Sequence, residues 1–228
     1  MREEDHVDFN TGSGGTAGSG GSSGGSGGPP PQASGGASGG EFNLQDPVQS
    51  FIDTVRNVVT APVDFFRNVP TRGNLLNPLI FAIICYEVSA ILGGLLSLAG
   101  LYGSEGFGSY IISIILAPIY AAIGLFIGAG ILHLLVMLIV GSRNAGFEGT
   151  LRVSAYASVT SLVSWIPILG WIASLYGIYL AIVGIREVHT TSTGKAAIVV
   201  LIPAVIVLLL VLVIIAVVGA AIFMSTQQ

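Results

Sequence analysis

VSAYASVTSLVSWIPILGWIASLYGIYLAIVGI, residues 153–185, runs for 33 residues without an Asp, Glu, Lys, Arg or His. As one straight helix it would measure ~50 Å at ~1.5 Å per residue, far more than a ~30 Å hydrocarbon core holds. Pro167 and Gly170 fall in its middle, in WIPILGW. A proline inside a helix removes a backbone hydrogen bond and clashes with the preceding turn. The stretch therefore reads as two short helices joined by a tight turn, the first borrowing length from residues 150–152. This turns a chain of four membrane spans into one of five.

The flanking sequence fits that count. One apolar stretch runs from about Pro78 to Tyr102, interrupted only by Glu87, and a second from about Tyr110 to Val140, with Pro118 and His133 inside it. The last, from about Ala196 to Met224, is packed with Val, Ile and Leu and reads as the most lipid-exposed. Arg2, Arg56, Arg67 and Arg72 precede the first span, Arg143 and Arg152 lie between the second and third, and Arg186 and Lys195 between the fourth and fifth. Five spans with the N-terminus inside place all eight basic residues in the cytoplasm, as the positive-inside bias requires. Four spans would put Arg186 and Lys195 outside. The outer turns carry only Glu105 and are flanked by Tyr102, Tyr110, Trp165 and Trp171, the aromatic belt of a membrane interface. The expected topology is a cytoplasmic (inner or plasma) membrane protein with its N-terminus cytoplasmic and its C-terminus outside.

Composition agrees. The 228 residues are 52% hydrophobic and 9% charged, against ~25% charged in soluble domains. The net charge of −4 leaves no basic excess for nucleic acid. The single Cys85 cannot form an internal disulfide. The acidic start MREEDHVDF leads into a Gly/Ser tract, unlike a cleaved signal peptide, so the first span is expected to act as the insertion signal. Residues 1–45 read as a disordered Gly/Ser/Pro-rich tail with little to bury, stiffened at Pro29, Pro30 and Pro31.

Residues 46–75 change character. Asp46 suits an N-cap and Pro47 the first helical position. Val48, Phe51, Ile52, Val55, Val58 and Val59 then recur at helical spacing, and Val63, Phe65 and Phe66 form a second apolar patch before Pro70. An amphipathic helix beside a first span is expected to lie in the membrane interface or to dock a partner, with Phe51, Ile52, Val55, Phe65 and Phe66 as the face that does so. The expected fold is thus all-α: the tail, the interfacial segment, and a five-helix transmembrane bundle over 76–228.

Candidate chemistry is sparse. Glu87 and His133 are ionisable groups inside spans, where an acid costs at least ~2.5 kcal/mol at mid-bilayer. Both fall roughly 12 Å from the cytoplasmic ends of antiparallel helices. Glu87 shares a stripe with Ala90 and Gly94, His133 with Ala129 and Gly130, and small residues mark close helix contact. A Glu87–His133 pair is therefore expected, direct or through water, either as a proton site or as a hydrogen bond fixing register. Gly124 and Gly128 match a GxxxG packing motif. Thr193-Gly194-Lys195 is no phosphate loop, because His189 stands where the upstream glycine belongs and Ala196 follows the lysine. Glu187 and His189 are too few for a metal site. No GxSxG, HExxH or intramembrane aspartate pair is present. No enzyme, metal or cofactor is expected.

One resemblance spans about Pro62 to the C-terminus. Its residues are Pro62-Val-Asp-Phe65-Phe66-Arg67 with Pro70, Ile131-Leu-His133-Leu-Leu followed by Gly141, Phe147, Arg152-Val-Ser-Ala-Tyr156-Ala157-Ser158, Trp165-Ile-Pro167-Ile-Leu-Gly170, and Gly184-Ile-Arg-Glu187-Val-His189. In order and spacing these resemble the Ypt/Rab-interacting protein (YIP) membrane-domain family, most closely its prokaryotic branch. The acidic-Gly-Pro signature of the eukaryotic first span is missing. The resemblance implies a five-helix domain with a cytoplasmic N-terminus, and in eukaryotic relatives roles in membrane trafficking through lipidated GTPases. The expected function is a non-enzymatic membrane scaffold or adaptor that recruits a protein partner or organises lipid at the cytoplasmic face. The alternative is a small proton- or ion-coupled carrier using Glu87 and His133. Expected partners are membrane lipid and a membrane or cytoplasmic protein, with self-association open.

Overall fold

The computed structural model describes residues 40–100 and 106–226. Most of the expected tail, and the outer turn with Tyr102 and Glu105, lie outside the described residues. Those described form seven α-helices and one 3-10 segment, with no strand among them. Four helices are long and apolar enough to cross a membrane: α3 (Leu76–Leu98), α4 (Phe107–Ile139), α6 (Pro167–Val188) and α7 (Thr193–Ser225). Before α3 come α1 (Pro47–Thr60) and α2 (Pro62–Asn68); α5 (Phe147–Ala157) precedes the 3-10 segment Ser158–Val163.

The uncharged run 153–185 breaks at Pro167, which opens α6 after an extended Ile166. The arm before it is not a uniform helix. α5 spans 11 residues, then the backbone tightens for six, for a combined reach of ~28 Å. Ser, Thr and Val crowd the tightened segment. Ser158, Thr160 and Ser164 each donate a side-chain hydroxyl to the carbonyl three residues back, at 2.6, 3.1 and 2.8 Å, a local pairing that competes with the α-helical ladder. Gly170 closes the turn: a Cβ there would sit 2.5 Å from the Ser164 carbonyl oxygen.

This arm and α6 form a hairpin with both open ends at the same end of the bundle. The Gly73 N–H donates to Glu148 Oε2 at 3.0 Å, and Arg152 Nη2 to the Asn74 carbonyl at 3.0 Å, so α5 starts beside the start of α3. The arm's far tip lies along α3, where Ser164 and Ser89 share a hydroxyl hydrogen bond of 2.9 Å and Trp165 packs on Gly93. α6 then returns, and Arg67 Nε, in the last turn of α2, donates to Glu187 Oε2 near the end of α6 at 3.2 Å. The turn into α7 carries Thr190 at φ +49°, a left-handed conformation unusual for a β-branched residue.

α3 and α4 pack as a hairpin through Tyr110, whose hydroxyl donates to the Ile91 carbonyl at 3.0 Å. Gly94 makes room for its ring: a Cβ there would lie 1.9 Å from Tyr110 Cε2. α7 buries only its beginning, at Ala196, Val199 and Val200. From Val205 to Met224 every large apolar side chain is at least 45% exposed, as expected for the most lipid-facing span.

The core concentrates at the shared end. Phe42, Phe51, Phe81, Tyr156, Phe65 and Phe66 form a chain of ring contacts with centroids 5.0–6.4 Å apart. Two expectations change here. Phe65 and Phe66, assigned from sequence to a partner or membrane face, are 4% and 1% exposed and sit in this core. Pro62 restarts the helix after Ala61, and α2 packs with its aromatic side against α6, where Gly184 leaves space next to Phe66. The tail also ends earlier than residue 45. Phe42 is 1% exposed, the Thr54 hydroxyl donates to the Gly40 carbonyl at 3.0 Å, and the Ser50 hydroxyl to the Asn43 carbonyl at 2.9 Å. Residues 40–46 thus fold back along α1. Asp46 precedes α1 as expected, but its side chain makes no capping bond.

Candidate functional site

The polar groups capable of chemistry gather mainly at the shared end. The deepest charge there is Arg152, 2% exposed. Its Nη1 lies 2.5 Å from Glu41 Oε1, and the Tyr156 hydroxyl donates to the same oxygen at 2.6 Å. A buried guanidinium is tolerated only when paired and hydrogen-bonded. Glu41 and the Asn74 carbonyl supply that pairing. Sequence reasoning missed Glu41, which stands at the edge of the Gly/Ser tract. The available signal was Glu41-Phe42, a charged and an aromatic residue together after some thirty small ones.

Beside it, α4, α5 and the α6–α7 turn meet at Thr150, which is 0% exposed, and His189, 2% exposed. The Ala145 backbone N–H donates to His189 Nδ1 at 3.1 Å. That bond places the proton of neutral His189 on Nε2, which donates to Thr150 Oγ1 at 3.0 Å. The threonine proton then points to His133 Nδ1, 3.0 Å away, leaving the His133 proton on Nε2. One backbone amide therefore sets both tautomers. Burial, reinforced by nearby His133, pushes the His189 imidazole down to about 4. Protonating Nδ1 would also oppose a second N–H to the Ala145 amide.

His133 and Glu87 make no direct hydrogen bond to each other among the described residues. His133 is joined to Thr150, while Glu87 Oε2 is buried with no hydrogen-bond partner among them. At the rim, Arg67, Arg186 and Glu187 form a partly exposed cluster, with Arg186 Nη2 2.6 Å from Glu187 Oε1 and Arg67 Nη1 also 3.6 Å from Asp64. Of the other residues expected on a docking face, Phe51 and Val55 are half-buried against the core, while Ile52 is 53% exposed. Val48 and Val59 join it at 72% and 44%. The Tyr176 hydroxyl donates to the Val59 carbonyl at 2.7 Å. Tyr176 lies twelve residues before the end of α6, or ~18 Å along it, so α1 runs down beside the bundle. Among the described residues no three His, Cys, Asp or Glu side chains converge as a metal site.

Compared with known proteins, residues 56–215 match the Yip1 domain. No curated protein and no solved structure matches the chain.

Proposed function

We propose, from the premise that the chain belongs to the Yip1 domain family, that it is a non-enzymatic membrane scaffold of the family's prokaryotic branch, recruiting a membrane or cytoplasmic protein at its cytoplasmic face. It crosses the cytoplasmic membrane five times, N-terminus inside and C-terminus outside. Support for the count is the pairing of Arg67 with Glu187: the start of α3 and the end of α6 share one end, so an even number of crossings separates them. Support for the orientation is that Arg67, Arg152 and Arg186 all sit at that end.

The observation that carries the scaffold reading is the exposed stripe of Val48, Ile52 and Val59 on α1. It is an apolar strip on a helix whose other side is fixed to the core. The carrier reading needs Glu87 and His133 to share a site, and no observation favours it. The test is purification from native membranes into lipid nanodiscs, comparing the unaltered chain with Val48→Ser/Ile52→Ser/Val59→Ser. A stoichiometric protein present with the first and lost with the second is the expected result. Absence of such a protein, or its retention by the variant, sinks the reading.

A further inference from the structure

A cavity of about 730 Å³ lies between α4, the α5 arm, α6 and α7, within the ~300–1,000 Å³ range of small-molecule sites. Its two walls differ. The outer wall, from α4 and α7, is apolar and includes Gly124, Gly128, Pro203 and Val207. A Cβ on Gly124 or Gly128 would meet nothing within 4 Å. The GxxxG motif therefore does not pack two helices here; it leaves this wall hollow. The inner wall carries the Tyr86 hydroxyl from α3 and six more, from Ser154, Ser158, Thr160, Ser161, Ser164 and Ser174.

Five of those six hydroxyls already donate to backbone carbonyls of their own helices, which leaves lone pairs as their remaining capacity. Ser161 is the exception. Its Oγ is buried and has no hydrogen-bond partner among the described residues. With the Tyr86 hydroxyl, which donates to nothing among the described residues, the wall thus offers several acceptors and two unused donors. No charged side chain lines the cavity, so nothing there would hold a phosphate headgroup. The rail runs from near the start of the arm to its far tip, where Ser164 bonds Ser89, thirteen residues into α3, or ~20 Å from its start, so its middle, at Ser158 and Ser161, lies within the hydrocarbon. At that depth in hydrocarbon an unpaired polar group is costly.

We infer that this cavity is a binding site for an uncharged lipid alcohol, a long apolar chain bearing one free hydroxyl, admitted sideways from the bilayer between α4 and α7. The ligand's hydroxyl accepts from Ser161 Oγ–H and donates to a lone pair of the serine and threonine rail. Its chain lies against the hollow wall at Gly124 and Gly128.

The test uses the full chain in nanodiscs and a photoreactive, clickable long-chain primary alcohol, with a phosphatidylcholine carrying the same photoreactive chain as comparator. The expected result is labelling of α4 and the 154–164 arm by the alcohol, competed by unlabelled alcohol and not by phosphatidylcholine. Gly124→Leu/Gly128→Leu fills the hollow and should abolish labelling. Ser161→Ala, a change too small to disturb the fold, should weaken half-maximal labelling about fivefold, the loss of roughly one hydrogen bond. Equal labelling of the same peptides by the phosphatidylcholine probe, or an unchanged affinity in Ser161→Ala, overturns the inference and marks the cavity as filled by bulk lipid.

Discussion

Arg152 illustrates what one residue can and cannot announce. Its position beside an uncharged run was plain in the sequence, but its burial was not, because the partner that permits burial, Glu41, is remote in the chain and stands at the very end of a Gly/Ser tract. Glu41→Gln should lower stability by about 3 kcal/mol, because it leaves a buried cation without its counter-charge. Adding Arg152→Met should recover part of that loss. Reaction of the buried Cys85 thiol with a maleimide dye on heating reads both. His189 gives a pH signature with a definite sign. Its folded value, about 4, lies below its ordinary 6.5, so its contribution to stability is complete above 6.5 and is lost as pH falls toward 4. Thermal melting followed by helical circular dichroism across that pH range should show this decline in the unaltered chain and a shallower one in His189→Gln. His133 was legible as a polar group in a span, yet its partner is Thr150. A search confined to ionisable residues passes over a hydroxyl.

At the scale of elements, periodicity located α1 and α2 but not the direction each apolar face takes. A stripe says that something covers it, and the core and the bilayer look alike to a stripe. Packing decided it: Phe66 turned inward where Gly184 left room, Phe65 packed on Phe66 and Tyr156, and Val48, Ile52 and Val59 stayed out. The tightening of the α5 arm was likewise hidden, since hydroxyl back-bonding works residue by residue and leaves no apolar period. Glycines separate elements that touch from those that do not. Gly94→Ala should cost ~1–3 kcal/mol, because Tyr110 must move and its bond to Ile91 strain or break. Gly124→Ala, facing open space, should be neutral or stabilise by up to ~1 kcal/mol. Melting of the two variants side by side checks the contrast.

For the whole molecule, the number of apolar runs and the placing of basic residues carried most of the architecture, because lipid penalises unpaired charge and open backbone more uniformly than any core does. Five passes predict that Asn68→Cys, Ser142→Cys and Thr191→Cys, each alone in a Cys85→Ala chain, react with a membrane-impermeant reagent only from the cytoplasmic side, and Thr226→Cys only from outside. Four passes would separate Thr191 from Asn68. The helices also differ in length. α4 and α7 have 33 residues each, or ~50 Å, whereas the α5 arm reaches only ~28 Å and α6 has 22 residues, or ~33 Å. The long, exposed α4 and α7 therefore overreach a ~30 Å hydrocarbon core, and where lipid lies along their whole length they must tilt or draw the bilayer thicker beside them.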